Sequence, residues 1–442
     1  MKRVSNGGFA VTALTGSLCL ALLAGAAHAQ DSAIDASAAA LEQKVIDWRR
    51  DIHQHPELGN RETRTAGLVA EHLKALGFEV REGIAATGVI GILRGGKPGP
   101  VVALRADMDA LPVTEDTGLP FASTVRTTYN GEEVGVMHAC GHDGHTAILM
   151  GVAEALAGMK DDLAGTIMVI FQPAEEGAPE GETGGAQRML AEGAFDDPTP
   201  DAVFGLHLMS GMPTGQIGYR EGPILASSDG FHVHVKGEQT HGAMPWNGVD
   251  PIVLASQIVL GFQTIQSRQV DVTNQPSVLT VGTFDAGTRA NIVPDEAVLT
   301  GTLRTYDEDM RAFIKQRMQD TAGLIAQSGQ GSAEVSFLPG AYATTVNDPE
   351  LTQAMEPTLQ SIPGVEAVVV PKRTPSEDFS FFAQEVPGLF LFVGATPPDG
   401  NLAAAAPNHS PQFVIDEASL LVGMRTLLHL TLDYMEKHPA KG

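Results

Sequence analysis

The chain has 442 residues, 43% hydrophobic and 18% charged, with 28 basic against 53 acidic side chains and a formal net charge of −25. An apolar fraction of that size supports a packed core and argues against disorder or a fibrous repeat. The acidic field repels phosphate backbones and anionic lipid surfaces, so nucleic-acid binding and membrane adhesion are poor readings of its function.

The first 29 residues have the form of a secretory signal. Met1–Lys2–Arg3 is basic, Phe9 to Ala27 is largely apolar or small, and Ala27–His28–Ala29 is a small-x-small cleavage site. Cleavage near Ala29 and a periplasmic or secreted location are expected. A retained anchor is the rival, but no later stretch offers the roughly 20 apolar residues needed to span a bilayer. Cleavage would remove Cys19 and leave Cys140 as the only cysteine. A mature chain of that kind has no internal disulfide and depends on its core.

From Ala40 to about Leu76 the apolar spacing is helical, interrupted around His55–Pro56. Short apolar runs follow at Gly88–Leu93, Val101–Ala106, Thr166–Phe171 and Ala202–Leu206, with helical patterns at Thr146–Met159 and Gln187–Glu192 between some of them. Such alternation predicts an α/β domain built on a mostly parallel sheet covered on both faces. The character changes near Gly215–Ser228. Phe231–Lys236 alternates as a strand, Pro251–Ser267 is helical, and strands are predicted at Ser277–Phe284 and Ala297–Thr305. A helix from Asp307 to about Ser328 and a strand at Ala333–Leu338 complete a strand-helix-strand-strand-helix-strand unit, the ferredoxin-like α+β order. After Pro339 a strand at Gly388–Val393 and a helix from Asp416 to about Glu436 restore the α/β character. The expected organisation is a signal at 1–29, a catalytic domain in two parts at 30–218 and 339–442, and a satellite, or lid, domain at 219–338.

In open parallel sheets, ligands bind beyond the carboxyl ends of the strands. Asp107 and Asp109 follow the second strand, Glu175 and Glu176 the third, and His207 the fourth; Cys140-Gly141-His142 precedes a helix, and His409 follows the last strand. Thiolate, imidazole and carboxylate groups at one edge are ligands for first-row transition metals. Cys140 and His142, two apart around a glycine, can turn onto one ion from a loop. Of two adjacent carboxylates, one can ligate while the other takes a proton from a water acidified by the metal.

The segments RADMDALP, MHACGHDGH, FQPAEEG, GLHL, THGAMP, NGVDPIVLASQIV, ANIVPDEAVLTGTLRT, SEDFSFF and NHSPQF resemble the aminoacylase/carboxypeptidase family of dinuclear metallopeptidases. They are most similar to its amidohydrolase branch of hippurate hydrolases and auxin–amino acid conjugate hydrolases. The resemblance runs from about Leu41 to the C-terminus. It implies two divalent ions, Zn²⁺ or Mn²⁺, held by Cys140, His142, Glu176, His207 and His409, with Glu175 as general base. It also implies hydrolysis of N-acyl amino acids, or alternatively of dipeptides or carboxyl-terminal peptide bonds. Arg105 stands where the wider family has a ligating His, and the branch supplies His142 in its place. Asp107 is then a group that orients a ligand, or simply a strand-end cap. In the satellite domain, His241 resembles the histidine that touches the substrate carbonyl or carboxylate, with action across a homodimer interface compatible with the pattern, and Asn291 and Arg304 would help hold the substrate carboxylate. Thr240 and Trp246 depart from the expected Gly and His, which puts the lid contact in question.

His53, His55, His138 and His145 take structural or ligand-supporting readings, and His232 and His234 packing or surface ones. Two other classes compete with this reading. A Cys140 nucleophile would form a thioester, but it leaves the Glu pair, His207 and His409 without a role. A non-catalytic binding protein would be expected to lack the base, and Glu175 is present.

Overall fold

The computed structural model describes residues 13–439, with side-chain environments from Ser32 onward. Residues 1–12 of the expected signal lie outside the described residues. Helices α1 (Ala13–Gln54) and α2 (Thr63–Ala75) lead into strands β1 (Glu79–Ile84), β2 (Gly88–Arg94) and β3 (Lys97–Asp107). Then come α3 (His142–Gly158), β4 (Ala164–Gln172), α4 (Gly185–Ala191), β5 (Ala202–Pro213) and β6 (Gln216–Tyr219). The inserted unit contains β7 (Asp229–Lys236), α5 (Pro251–Arg268), β8 (Ser277–Ala286), β9 (Glu296–Thr305), α6 (Glu308–Ser328) and β10 (Ser332–Phe337). The chain returns through α7 (Pro349–Ser361), β11 (Glu366–Val369), α8 (Phe379–Glu385), β12 (Gly388–Thr396) and α9 (Ala418–Lys437).

The main sheet has eight strands in the order β1-β2-β4-β3-β5-β12-β6-β11. Its centre, β4-β3-β5-β12, is parallel, as continuous apolar runs predict. The flanks are not. β2 runs antiparallel to both β1 and β4, and β6 antiparallel to β12, so the sheet is mixed. The connections explain this: β1–β2 and β5–β6 are joined by two or three residues, which can only reverse the chain, whereas parallel neighbours need a crossover of a dozen or more. Helices α1, α3 and α9 pack together over one face, burying Val45, Ile148, Leu206 and Met424. The opposite face is covered by the shorter α4 and α8, with Met189, Phe379 and Phe382 against Met168 and Phe390.

The satellite sheet is antiparallel in the order β8-β9-β7-β10, the arrangement expected of a split β-α-β unit. Phe231, Val233 and Val235 of β7 bury against Ile258 and Phe262 of α5 and Ile314 and Met318 of α6. Both helices start at an aspartate: Asp250 accepts from the backbone N–H of Ile252 at 2.9 Å, and Asp307 from that of Met310 at 2.7 Å. The first crossing comes later than the expected 218/219. β6 still belongs to the main sheet and Gly222–Leu225 pairs with Thr345–Asn347, so the chain leaves between Leu225 and Asp229. Among the described residues, no helix is long and apolar enough to cross a membrane.

Asp229, at the start of β7, is buried and accepts from Arg311 at 2.6 and 3.0 Å and from Lys315 at 2.9 Å. Burial opposes its charge, but these two cations outweigh it and hold the carboxyl below its usual range. A depressed folded pKa contributes stability above the unfolded value of about 3.9, and that stability is lost as pH falls through the folded value. Asp229→Asn is therefore expected to cost about 2 kcal/mol at pH 7. The difference in urea midpoint from the parent should shrink between pH 5 and pH 3.

Candidate metal centre

The site lies at the carboxyl ends of the central parallel strands. Cys140 ends the loop before α3, and Gly141, at φ +95°, caps that helix. Only glycine adopts this backbone without strain, and the reversal lets Cys140 and His142 face one point. Ala174 (φ +50°) and His409 (φ +71°) occupy the left-handed region without being glycine, at about 1 kcal/mol each. Ala174 N–H donates to Glu62 at 2.8 Å and His409 N–H to the carbonyl of Ala139 at 2.7 Å. Those bonds hold the turns that present Glu175 and the His409 ring.

Two groups of donors share one sulfur. Cys140, His142 and His207 form one, and Cys140, Glu176 and His409 the other, each with its ligand atoms within 4.8 Å of one another. The sulfur lies 3.3 Å from His207 Nε2 and 3.2 Å from His409 Nε2. Ligands at ordinary metal bond lengths around a tetrahedral ion would stand about 3.5 Å apart. His409 Nε2 is 3.1 Å from Glu176 Oε1 at ion-pair distance, but Glu176 Oε1 and His142 Nε2 are buried without a hydrogen-bond partner. Orphaned buried acceptors of this kind need an explanation, and a cation between them supplies it. All five ligand residues expected from the sequence therefore converge, and their donor set suits a pair of divalent ions.

Surrounding groups aim the ligands. His142 Nδ1 lies 2.8 Å from the carbonyl of Asp109, and His207 Nδ1 2.8 Å from that of Leu208. Each of these contacts leaves the other ring nitrogen facing the centre. Burial opposes the charge of His142, but the surrounding carboxylates push it up to about 10, so a cation would have to displace its proton to be ligated. The Asp109 carboxylate also accepts from Glu176 N–H at 2.9 Å. Asn408 donates to the carbonyls of Cys140 and Leu208, both at 3.1 Å, tying its own loop to the Cys140 loop and to β5. Asp107 sits behind the site, 2.6 Å from His145 Nδ1 and 2.6 Å from Arg105 Nη1. Leu208 N–H donates to His145 Nε2 at 2.8 Å, so both nitrogens of His145 are engaged away from the ligand groups. His138 is buried with neither ring nitrogen partnered, and burial pushes it down to about 3. His53 bridges Asp143 at 2.9 Å and Glu115 at 3.2 Å, and Arg49 reaches Asp143 at 2.7 Å. That buried network backs the first turn of α3.

Glu175 lies beside the ligands, its Oε2 3.9 Å from His142 Nε2. Burial first, then the carboxylates of Glu377, Glu176 and Asp378, push its pKa well up, against the pull of Arg105. Arg105 is fully buried and donates to Asp107, to Glu377 and Asp378 (both 2.9 Å) and to Gln172 (2.8 Å). It anchors these acids rather than reaching the centre. Burial and the carboxylates of Glu176 and Glu175 push the Cys140 thiol well above its ordinary range, so a cation beside the sulfur would be needed to favour the thiolate. Burial and neighbouring imidazoles hold His207 well below its usual value, which keeps it neutral, the ligating form.

The satellite residues are placed apart from this centre. The cavity of about 270 Å³ at the ligands is lined by Cys140, Glu175, Glu176, His207, Asn408 and His409 among others, but not by His241, Asn291 or Arg304. His241 and Asn291 are exposed neighbours, Gly242 N–H donating to the Asn291 carbonyl at 2.8 Å. The Arg304 guanidinium donates to Thr302 at 2.6 Å. Trp246 is 76% exposed on a short turn and does not line the cavity. Sequence reasoning assigned no role to Asp143, Glu377, Asp378 or Asn408. All four stand inside the motifs MHACGHDGH, SEDFSFF and NHSPQF, where the signal was available.

Residues 103–433 match the model of peptidase family M20/M25/M40. The chain belongs to this family. It is 42% identical over 398 residues to thermostable carboxypeptidase 1 of Saccharolobus solfataricus, covering 90% of this chain and 97% of that protein. It is 42% identical over 303 residues to an N-acyl-L-amino acid amidohydrolase of Geobacillus stearothermophilus, covering 69% and 78%. The Bacillus subtilis YXEP protein, a dinuclear metal-binding peptidase of the M20 family, superposes with a TM-score of 0.75 at 34% identity, covering 90% of this chain and 99% of that one. As a member of the M20 family, the chain is a metal-dependent amide hydrolase with a catalytic domain and a satellite domain.

Proposed function

We propose that the protein is an exported hydrolase of N-acyl amino acids, including hippurate-like conjugates, that works with two Zn²⁺ or Mn²⁺ ions. The observation that carries this is the pair of donor groups sharing Cys140, with Glu175 beside them at the cavity. Bound there, divalent ions lower the pKa of water from about 15.7 toward roughly 7 and polarise a carbonyl. Glu175 takes the proton of the attacking water and delivers it to the leaving nitrogen as the carbon–nitrogen bond breaks. Its burial among acids makes it willing to hold that proton between the two steps. Met209, Leu225 and Phe392 give the cavity an apolar wall suited to an acyl or amino acid side chain. The leader-like first 29 residues support export. Exposed Leu260 and Phe284 on the satellite support pairing of two copies.

A carboxypeptidase or dipeptidase activity is the second reading, favoured by the Saccharolobus relative. Metal-reconstituted protein should release free amino acid from hippurate and N-acetyl amino acids faster than from unblocked dipeptides. Chelation should abolish turnover, and added Zn²⁺ or Mn²⁺ should restore it. Faster cleavage of unblocked peptides would favour the second reading, and chelator-resistant turnover would refute both.

A further inference from the structure

The cavity contains a cation that no ion pair among the described residues accounts for. Among the residues lining it, Arg373 is the only Arg or Lys. Its guanidinium lies over the ring of Phe392, 5.3 Å from the centroid, and its Nε is buried without a hydrogen-bond partner. Burial lowers its pKa, and no carboxylate is close enough to offset that effect. The two fully buried guanidiniums near the site are both paired, Arg49 with Asp143 and Arg105 with three acids. An unpaired guanidinium, half-buried in a chain of net charge −25, costs stability unless an anion completes it.

The backbone around Arg373 is fixed. Its N–H donates to the carbonyl of Ile224 at 2.9 Å, and its own carbonyl accepts from Ala226 at 3.2 Å. The adjacent Lys372 reaches Gln275 of the satellite. Arg373 is thus held at the junction of the two domains, with its guanidinium against the ring of Phe392. A planar fork of donors matches a carboxylate in bidentate fashion.

We infer that Arg373 is the specificity-determining anchor for the substrate's free carboxylate, placed on the catalytic domain rather than on the lid. This rests on the N-acyl amino acid reading above, since such substrates carry one carboxylate beside the amide that is cut. It places the carboxylate in the same cavity as Glu175 and the Cys140 ligand groups, so an acyl amino acid amide or ester would lose its main polar contact.

The test uses the metal-loaded full chain carrying Glu175→Gln, so that ligand is not consumed. Binding of hippurate and N-acetylmethionine, each against its carboxamide, is measured by calorimetry. With Arg373 present, each acid should bind roughly 10–100-fold more tightly than its amide. Arg373→Gln should weaken the acids by that factor and leave the amides within about twofold, while Arg373→Lys should keep part of the preference. Equal weakening of acid and amide, no weakening, or no acid preference with Arg373 present would overturn the inference. Hydrolysis by the wild-type enzyme separates the two claims. Turnover of N-acyl amino acids without Arg373-dependent discrimination sinks only the anchor. Arg373-dependent discrimination without such turnover sinks only the proposed reaction.

Discussion

Glu175→Gln should leave the protein folded and loaded with metal while turnover falls by roughly 10²–10⁴-fold, the usual contribution of a positioned acid–base group. Glutamine keeps the size and the hydrogen-bonding capacity of the side chain but cannot accept a proton from water. The ligand set is untouched, because the two donor groups that share Cys140 do not require Glu175. The substitution also removes a buried acid from a crowd of carboxylates that includes Glu377, Glu176 and Asp378. Stability should therefore hold steady or rise slightly, which separates lost chemistry from lost fold. Single-turnover rates, metal content and a melting curve on the same preparation are sufficient. A variant with full turnover would remove Glu175 from the mechanism.

Cys140→Ala should cost the centre both of its ions together. One sulfur serves two donor groups, with His207 at 3.3 Å on one side and His409 at 3.2 Å on the other. Its removal leaves each group with two donors. Loss of a supporting partner typically costs 10–100-fold in metal affinity or activity, and loss of a shared ligand should exceed about 100-fold. Elemental analysis should find well under two ions per chain. Cys140→Asp, which keeps an anionic donor, should recover a measurable fraction of both metal and turnover. If Cys140→Ala kept two ions and normal rate, the shared-sulfur arrangement would be wrong.

Much of this was legible in the amino-acid sequence because burial and ligation leave strong marks. The runs Gly88–Leu93 and Thr166–Phe171 were placed as strands from their unbroken apolar character, and they are β2 and β4. Pro251 after Asp250 marked the start of α5. The metal ligands stood just beyond strand ends, where an open α/β sheet gathers its chemistry. What escaped had weak marks. β1, β6 and β11 are short, and nothing in the composition of β2 or β6 states which way it runs. Arg49, His53 and Asp143 meet from segments about 90 residues apart, a coincidence that no local pattern encodes. His241, Asn291 and Arg304, which the resemblance places at the substrate, lie on the satellite outside the cavity lining of the single chain, where only a second copy or a closed satellite would bring them to it. Arg373 went unremarked because an arginine in a polar stretch looks ordinary until its lack of a partner is seen.

The strand at the heart of the main sheet is made only after the inserted satellite. β12 is buried along its whole length between β5 and β6, yet some 170 residues separate β6 from it, and the entire satellite lies in that interval. During synthesis the satellite, continuous in the chain, is free to fold as a unit, whereas the larger domain waits with a gap in its centre. His409, just beyond β12, arrives later still, so a complete ion-binding centre exists only after the satellite and β12 have both been made. Premature capture of metal by the nascent chain is thereby limited to an incomplete set of ligands.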